Sequence, residues 1–198
     1  AIVYLSGGHM MIALVLTMLC CIVLGMGVPT TANYCIMAAT CAPILMDPSI
    51  GVTKMAAHFF VFYFGIVADI TPPVALAAYA GSAIAKADPM RTGINATKLA
   101  IAAFIVPYIF AMNPQMLFVN VSSPFQVVQI CISALLGIFG VAAALNGFLY
   151  RPLNPLMRIV LVAGGLGMLI PGTLTDVTGL VLVAAVLLYQ RANAKRIA

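Results

Sequence analysis

Gly25-Met26-Gly27-Val28-Pro29-Thr30-Thr31 interrupts an apolar stretch that otherwise runs from His9 to Met46. Asp69-Ile70-Thr71-Pro72-Pro73 interrupts a second one, from Met55 to Ala85. Both interruptions hold residues that end helices: glycine with its free backbone, and proline, which lacks an amide hydrogen and clashes with the preceding turn. Neither carries a run of charge of the kind that marks a water-exposed loop. An apolar helix crossing a bilayer core of about 30 Å needs about 20 residues. The first arm, His9 to Met26, is close to that length and the second, Thr31 to Met46, is shorter. A re-entrant hairpin with its tip at 25–33 fits these lengths, and two full spans remain an open alternative. Met55–Ile70 and Val74–Ala85 are each too short to cross alone and long enough together, which predicts one discontinuous helix.

Working outward, composition assigns the solvent. Of 198 residues 64% are hydrophobic and 7% charged, with no Glu, against about 25% charged in soluble domains. The fold class expected is all-α, a polytopic membrane protein. The net charge of +5 does not point to nucleic acid, because the basic residues lie between apolar runs rather than on one face. Five cysteines (Cys20, Cys21, Cys35, Cys41, Cys131) sit inside apolar segments. Their odd number and the lack of a close C-x-x-C pair argue against a disulfide framework or a zinc site. The chain starts within an apolar stretch with no initiator Met or leader, so a piece of a longer protein with further helices upstream is expected.

Beyond Ala85, Lys86–Lys98 reads as a polar connection. Leu99–Val119 reads as a span with kinks at Pro107 and Pro114, and Phe125–Tyr150 as a clean span. Leu156–Ile170 and Leu174–Tyr189 flank a Pro171-Gly172 turn. If the last two runs form a helical pair, eight of the nine basic residues fall on one side of the bilayer. These are Lys86, Arg91, Lys98, Arg151, Arg158, Arg191, Lys195 and Arg196; only Lys54 falls on the other side. The positive-inside rule makes the crowded side cytoplasmic, with the C-terminus there and the hairpin opening outward. The domain organisation expected is a unit over 1–90 (hairpin 9–46, broken helix 55–86), a following transmembrane helix over 91–120, and C-terminal transmembrane helices over 121–198.

Irregular backbone at membrane depth is tolerated only where protein or a water-filled cavity covers it. The two interruptions, 25–33 and 69–73, are therefore the candidate site. Their freed carbonyls and hydroxyls are hard oxygen ligands, and half-helices starting there aim their positive ends at an anionic solute group. Asp69 is the sharpest residue, because an acid inside the membrane faces a cavity or a partner and carries function. It reads as a cation ligand or a proton-sensitive group or, alternatively, as a local cap or hydrogen bond holding the Thr71-Pro72 break open. Thr30, Thr31 and Asn33 read as a ligand shell or as an N-cap. Asp176, after Pro171-Gly172-Thr173, reads as an N-cap. His58 reads as an interfacial anchor or packing residue, and Phe59, Phe60, Phe62, Tyr63 and Phe64 as packing against neighbours or lipid.

No phosphate-binding G-x-x-x-x-G-K-[ST] loop, H-E-x-x-H pair or nucleophile elbow occurs, so neither ATP nor an enzyme reaction is expected to drive this chain. A channel or a non-transporting scaffold subunit is the rival to a transporter.

Three stretches carry a resemblance: Gly25-Met26-Gly27-Val28-Pro29-Thr30-Thr31-Ala32-Asn33-Tyr34, Ala56-Ala57-His58-Phe59-Phe60-Val61-Phe62-Tyr63-Phe64, and Ile70-Thr71-Pro72-Pro73-Val74-Ala75-Leu76-Ala77. They resemble the large membrane subunit of tripartite ATP-independent periplasmic (TRAP) transporters, nearest to the fused-permease branch that works with a TAXI-type receptor. The match covers about residues 1 to 120. The resemblance implies a Na⁺-driven symporter in the bacterial or archaeal inner membrane, fed by a periplasmic solute-binding protein and importing an organic acid. Na⁺ would be the coupling ion, with no other cofactor. The upstream half of the same permease and a small membrane subunit are the further partners implied. The family fold is an elevator built from two inverted repeats, and this chain would supply the second, with extra C-terminal helices. The Na⁺-site roles carried over fall on Thr30, Thr31, Thr71 and the Gly27 and Ile70 carbonyls, beside Pro72. The acidic residue that dicarboxylate and sialate members hold at the hairpin tip is replaced here by Val28-Pro29.

Overall fold

The computed structural model describes residues 2–119, 121, 123–170 and 172–194. Among these the chain is helical, and its only pairing of extended backbone is an isolated bridge between Phe148 and Pro152. It divides into two compact units, Ala1–Leu117 and Phe118–Ala198.

The first unit contains α1 (Ile2–Ser6), α2 (Met10–Gly25), α3 (Thr30–Thr40), α4 (Ala42–Leu45), α5 (Lys54–Val67), a 3-10 turn (Ala68–Ile70), α6 (Leu76–Ala85), α7 (Pro89–Leu99), α8 (Ile101–Met112) and a second 3-10 turn (Pro114–Leu117). α2 and α3 form an antiparallel hairpin. Asn33, near the start of α3, meets Gly25 at the end of α2, while the Cys41 thiol beyond α3 lies 3.9 Å from the Cys20 thiol, a turn earlier in α2. At 1.5 Å per residue, α2 is about 24 Å long and α3 about 17 Å, so neither arm alone crosses a bilayer core. Pro43 ends α3 by removing the donor that would reach back one turn, and α4 resumes after Cys41.

α5 is the post around which this unit packs. Ala57, Phe60, Val61, Phe64 and Ala68 are all fully buried, the three- and four-residue spacing of a helix face turned to a core. Phe60 and Phe64 meet edge to face at 4.8 Å, and Tyr108 of α8 closes on both at 5.4 and 5.9 Å. Phe59 and Tyr63 meet Phe110. The aromatic set is thus packing, as its sequence suggested. His58 Nδ1 lies 3.1 Å from the Tyr34 hydroxyl of α3, so His58, expected as an interfacial anchor or packing residue, packs α5 against the hairpin.

The 86–98 stretch differs from its expectation as a polar connection. It is helical from Pro89, because Asp88 accepts a hydrogen bond from the Arg91 amide (2.7 Å) and Pro89 occupies the first turn, where no amide donor is required. α7 and α8 together, Pro89–Met112, form one of three helices among the described residues that are long and apolar enough to cross a membrane. The other two are in the second unit.

That second unit is a three-helix bundle of α9 (Pro124–Asn146), α10 (Pro155–Leu169) and α11 (Thr173–Ala194). α10 is its centre, and glycine lets its backbone come close to both neighbours. A Cβ at Gly165 would lie 2.6 Å from the Gly137 carbonyl of α9, and one at Gly164 would lie 3.1 Å from the Gly179 carbonyl of α11. Small residues at such spacing are the usual membrane helix interface. Gly147 closes α9 in the left-handed region (φ +68°), and Arg158 donates to the Ala144 and Leu145 carbonyls at 2.7 and 3.0 Å. Asp176 is not an N-cap, which corrects the sequence reading. α11 has begun by Thr173, and the Asp176 carboxylate accepts from Gln129 Nε2 (2.8 Å) and the Ser133 hydroxyl (2.5 Å) of α9.

Candidate functional site: two facing helix breaks

The hairpin tip and the break in the second apolar stretch come together. A Cβ built on Gly25 would stand 3.0 Å from both the Ala68 Cβ and the Gly65 carbonyl, and 2.9 Å from Asn33 Nδ2. One built on Gly27 (φ +75°) would stand 4.0 Å from Leu76 Cδ1, at the start of α6. The tip therefore touches the second helix just before its break and just after it. Gly25 permits the close approach, and Gly27 supplies the left-handed turn that brings α3 back.

Asn33 is the pin between them. It is 2% exposed and donates from Nδ2 to the Gly65 carbonyl at 3.1 Å. Its Oδ1 is buried and accepts no hydrogen bond among the described residues. A buried amide oxygen without a donor is costly, and it is the kind of oxygen that a dehydrated cation ligates. Thr30 and Thr31 occupy the first two positions of α3 and are exposed; Pro29 is the N-cap, and no side-chain cap bond forms. The N-cap reading of these threonines does not hold, which leaves their hydroxyls uncommitted to the helix. The first amides of α3 lie at the tip, where they and the helix dipole favour an anionic group.

At the second break, α5 ends at Val67, the 3-10 turn carries the chain to Ile70, and α6 starts at Leu76. Pro72 and Pro73, joined by a cis bond, have no amide hydrogens to give the Ala68 and Asp69 carbonyls four residues earlier. The Val67 carbonyl accepts from the Thr71 hydroxyl at 2.7 Å and the Ala68 carbonyl from the Thr71 amide at 3.3 Å. The Ile70 carbonyl accepts from the Thr97 hydroxyl of α7 at 3.1 Å, and the Pro73 carbonyl from the Tyr79 hydroxyl at 2.8 Å. Ala75, left-handed at φ +36°, starts α6 and accepts from the Tyr79 amide at 2.9 Å. That conformation costs a non-glycine residue about 1–2 kcal/mol, and contacts hold it. A Cβ on Gly93 of α7 would lie 3.1 Å from Pro72 Cγ and 3.5 Å from Ala75 Cβ.

Asp69 is half-buried, and no described residue donates a hydrogen bond to its carboxylate. The local-cap reading of Asp69 is not supported, since Thr71 bonds Val67 and Ala68 instead. Of the residues named from sequence, Gly27, Asn33, Asp69, Ile70, Thr71 and Pro72 belong to these two adjoining breaks, and Thr30 and Thr31 lie at the entry to α3. Sequence reading missed Gly65, Tyr79, Gly93 and Thr97. Gly65 was legible as a lone glycine in an apolar helix, a sign of close backbone approach. Thr97 carried no signal while its segment was read as a connection.

The family model described as "DctM: Tripartite ATP-independent periplasmic transporter, DctM component" matches residues 1–125. That range covers the first unit, with both breaks. No curated protein and no solved structure matches the chain.

Proposed function

This chain belongs to the DctM component family of tripartite ATP-independent periplasmic transporters, a family of membrane permeases, and on that premise we propose that its two breaks form part of a cation-coupled site for an organic anion. Na⁺ is the coupling ion, held by hard oxygens from the tip (Asn33 Oδ1, Thr30, Thr31, the Gly27 carbonyl) and from the second break (Asp69, Thr71, the Ile70 carbonyl). The solute, a carboxylate delivered by a periplasmic solute-binding protein of TAXI type, docks beside the positive start of α3. The upstream half of the permease supplies the rest of the site, and a small membrane subunit completes the complex in the inner membrane. The C-terminus lies in the cytoplasm, as the distribution of basic residues suggests. The chain serves as the second inverted repeat of an elevator whose mobile domain slides inward once both ligands are bound.

One observation supports this reading above the others: Asn33 links the tip to α5 through Nδ2 and leaves Oδ1 buried with no donor among the described residues. A cation that ligates the tip and the second break together stabilises the arrangement in which they touch. Ligands shift an equilibrium only by binding one state better than the other, and bridging two elements is such a difference. In the complete transporter, Asp69→Asn and Thr71→Val raise the Na⁺ concentration needed for half-maximal uptake. Unchanged Na⁺ dependence in both variants removes them from the site. Solute flux without Na⁺ and without the receptor makes the protein a channel instead.

A further inference from the structure

Thr97 lies outside both breaks, on α7, yet its hydroxyl has two acceptors, the Ile70 carbonyl at 3.1 Å and the Gly93 carbonyl of its own helix at 3.0 Å. It has one proton to give. Bonding the carbonyl four residues earlier is the ordinary local choice for a helical threonine. The Ile70 carbonyl is different, because it belongs to a stretch where two prolines remove amide donors. We infer that Thr97 is a positioning residue for the Ile70 carbonyl and so makes α7 part of the cation-dependent break. The inference rests on the cation reading of the two breaks.

Three features of the packing support it. Gly93, one turn before Thr97, has no side chain where Pro72 Cγ and Ala75 Cβ approach, so α7 lies directly against the broken segment. Tyr79, whose hydroxyl holds the Pro73 carbonyl, also approaches Gly93, its ring carbon 3.3 Å from a Cβ built there. The Asp69 carbonyl has no amide partner among the described residues, while the Ile70 carbonyl is the one held from another helix. A carbonyl oxygen has two lone pairs. One accepts from Thr97 and fixes the direction of the C=O bond; the other remains for a cation. With that direction set in advance, cation binding does not have to order the carbonyl. When Thr97 turns its proton to Gly93, the Ile70 carbonyl loses its only donor among the described residues and its orientation is no longer held.

The test uses the complete transporter, reconstituted in vesicles with its receptor. Thr97→Val keeps the shape and removes the proton; Thr97→Ser restores it; Thr97→Ala is the second proton-less variant in case valine does not fold. Thr92 is the control on the same helix, since its hydroxyl donates to the exposed Asp88 carbonyl at 2.8 Å and to no other acceptor among the described residues. The result expected is a roughly fivefold rise in half-saturating Na⁺ for Thr97→Val, the effect of one hydrogen bond, larger than any change in maximal rate. Thr97→Ser stays close to wild type, and Thr92→Val shows no change. Na⁺-dependent thermal stabilisation of the purified protein reads the same shift without uptake. If Asp69→Asn and Thr71→Val shift the Na⁺ requirement while Thr97→Val and Thr97→Ala do not, the role of Thr97 is wrong and the cation reading stands. If serine fails to restore what valine loses, the effect is packing and the positioning role is likewise overturned. If wild-type uptake and stability ignore Na⁺, the cation reading fails and takes this inference with it.

Discussion

Asn33 Nδ2 donates to the Gly65 carbonyl at 3.1 Å, joining the start of one half-helix to a helical backbone carbonyl 32 positions away in sequence. Gly25 is within contact of both groups, so the end of α2, the start of α3 and the last turns of α5 meet at one point. Among the described residues nothing donates to the opposite oxygen of the same amide.

Removing the pin separates its two jobs. Asn33→Ala loses a buried hydrogen bond and is expected to cost about 1–3 kcal/mol of stability, seen as a lower melting temperature of the purified transporter. Asn33→Asp keeps an oxygen for the cation but loses the donor to Gly65. Its stability should recover as Na⁺ is added, more than that of Asn33→Ala. Equal Na⁺ responses in the two variants would falsify a ligand role for this side chain.

Two tip glycines should fail for different reasons. At Gly25 an alanine Cβ meets two atoms at 3.0 Å and a third at 2.9 Å, with backbone among them, so the hairpin must shift off α5 at about 1–3 kcal/mol. At Gly27 an alanine Cβ makes only an ordinary contact with Leu76 Cδ1 at 4.0 Å, and the substitution meets the cost of a left-handed backbone, about 1 kcal/mol. Thermal unfolding should rank Gly25→Ala as the worse of the two; the reverse order would contradict the close approach.

The second unit tests small-residue packing. With Gly165 replaced by leucine, the side chain has no room against the Gly137 carbonyl and Val141, and α9 and α10 must part. The expected outcome is loss of the folded bundle's protease resistance, while Leu156→Ala, a change at an exposed position, leaves digestion as in wild type.

In the loop after α4, the Ser49 hydroxyl (2.6 Å) and amide (2.9 Å) both donate to Asp47 Oδ1 and hold its carboxyl below the usual carboxylate range. A depressed folded value means the turn is favoured above the unfolded carboxylate pKa and loses that support as pH falls through the lower folded one. Amide exchange at Ser49, measured against Asp47→Asn at each pH, should show protection in the wild type at neutral pH. The difference between the two proteins should vanish in acid. A difference that persists at low pH rules the turn out as its cause.

Much of the site was readable because prolines and glycines act locally. Pro72 and Pro73 lack amide hydrogens wherever they lie, so a break beside them follows from covalent structure. Gly25 to Pro29 likewise stops a helix whatever surrounds it. The misreadings share a cause. The 86–98 stretch was judged by polarity, although Asp88-Pro89 is a helix-start signal, and polar residues on one face of α7 do not prevent it from being a helix. Asp176 was judged by its neighbours in sequence, although Gln129 and Ser133 on another helix are what bind it.

The sequence by itself determined that the chain is helical, lives in lipid, and is interrupted at two places, because composition and backbone chemistry act at each residue without reference to the rest of the fold. Only the tertiary structure decided that the interruptions adjoin, that Asn33 pins one to the other, and that Thr97 reaches the Ile70 carbonyl. Those relationships depend on how helices pack around α5, on distances between residues tens of positions apart, and no single stretch encodes them.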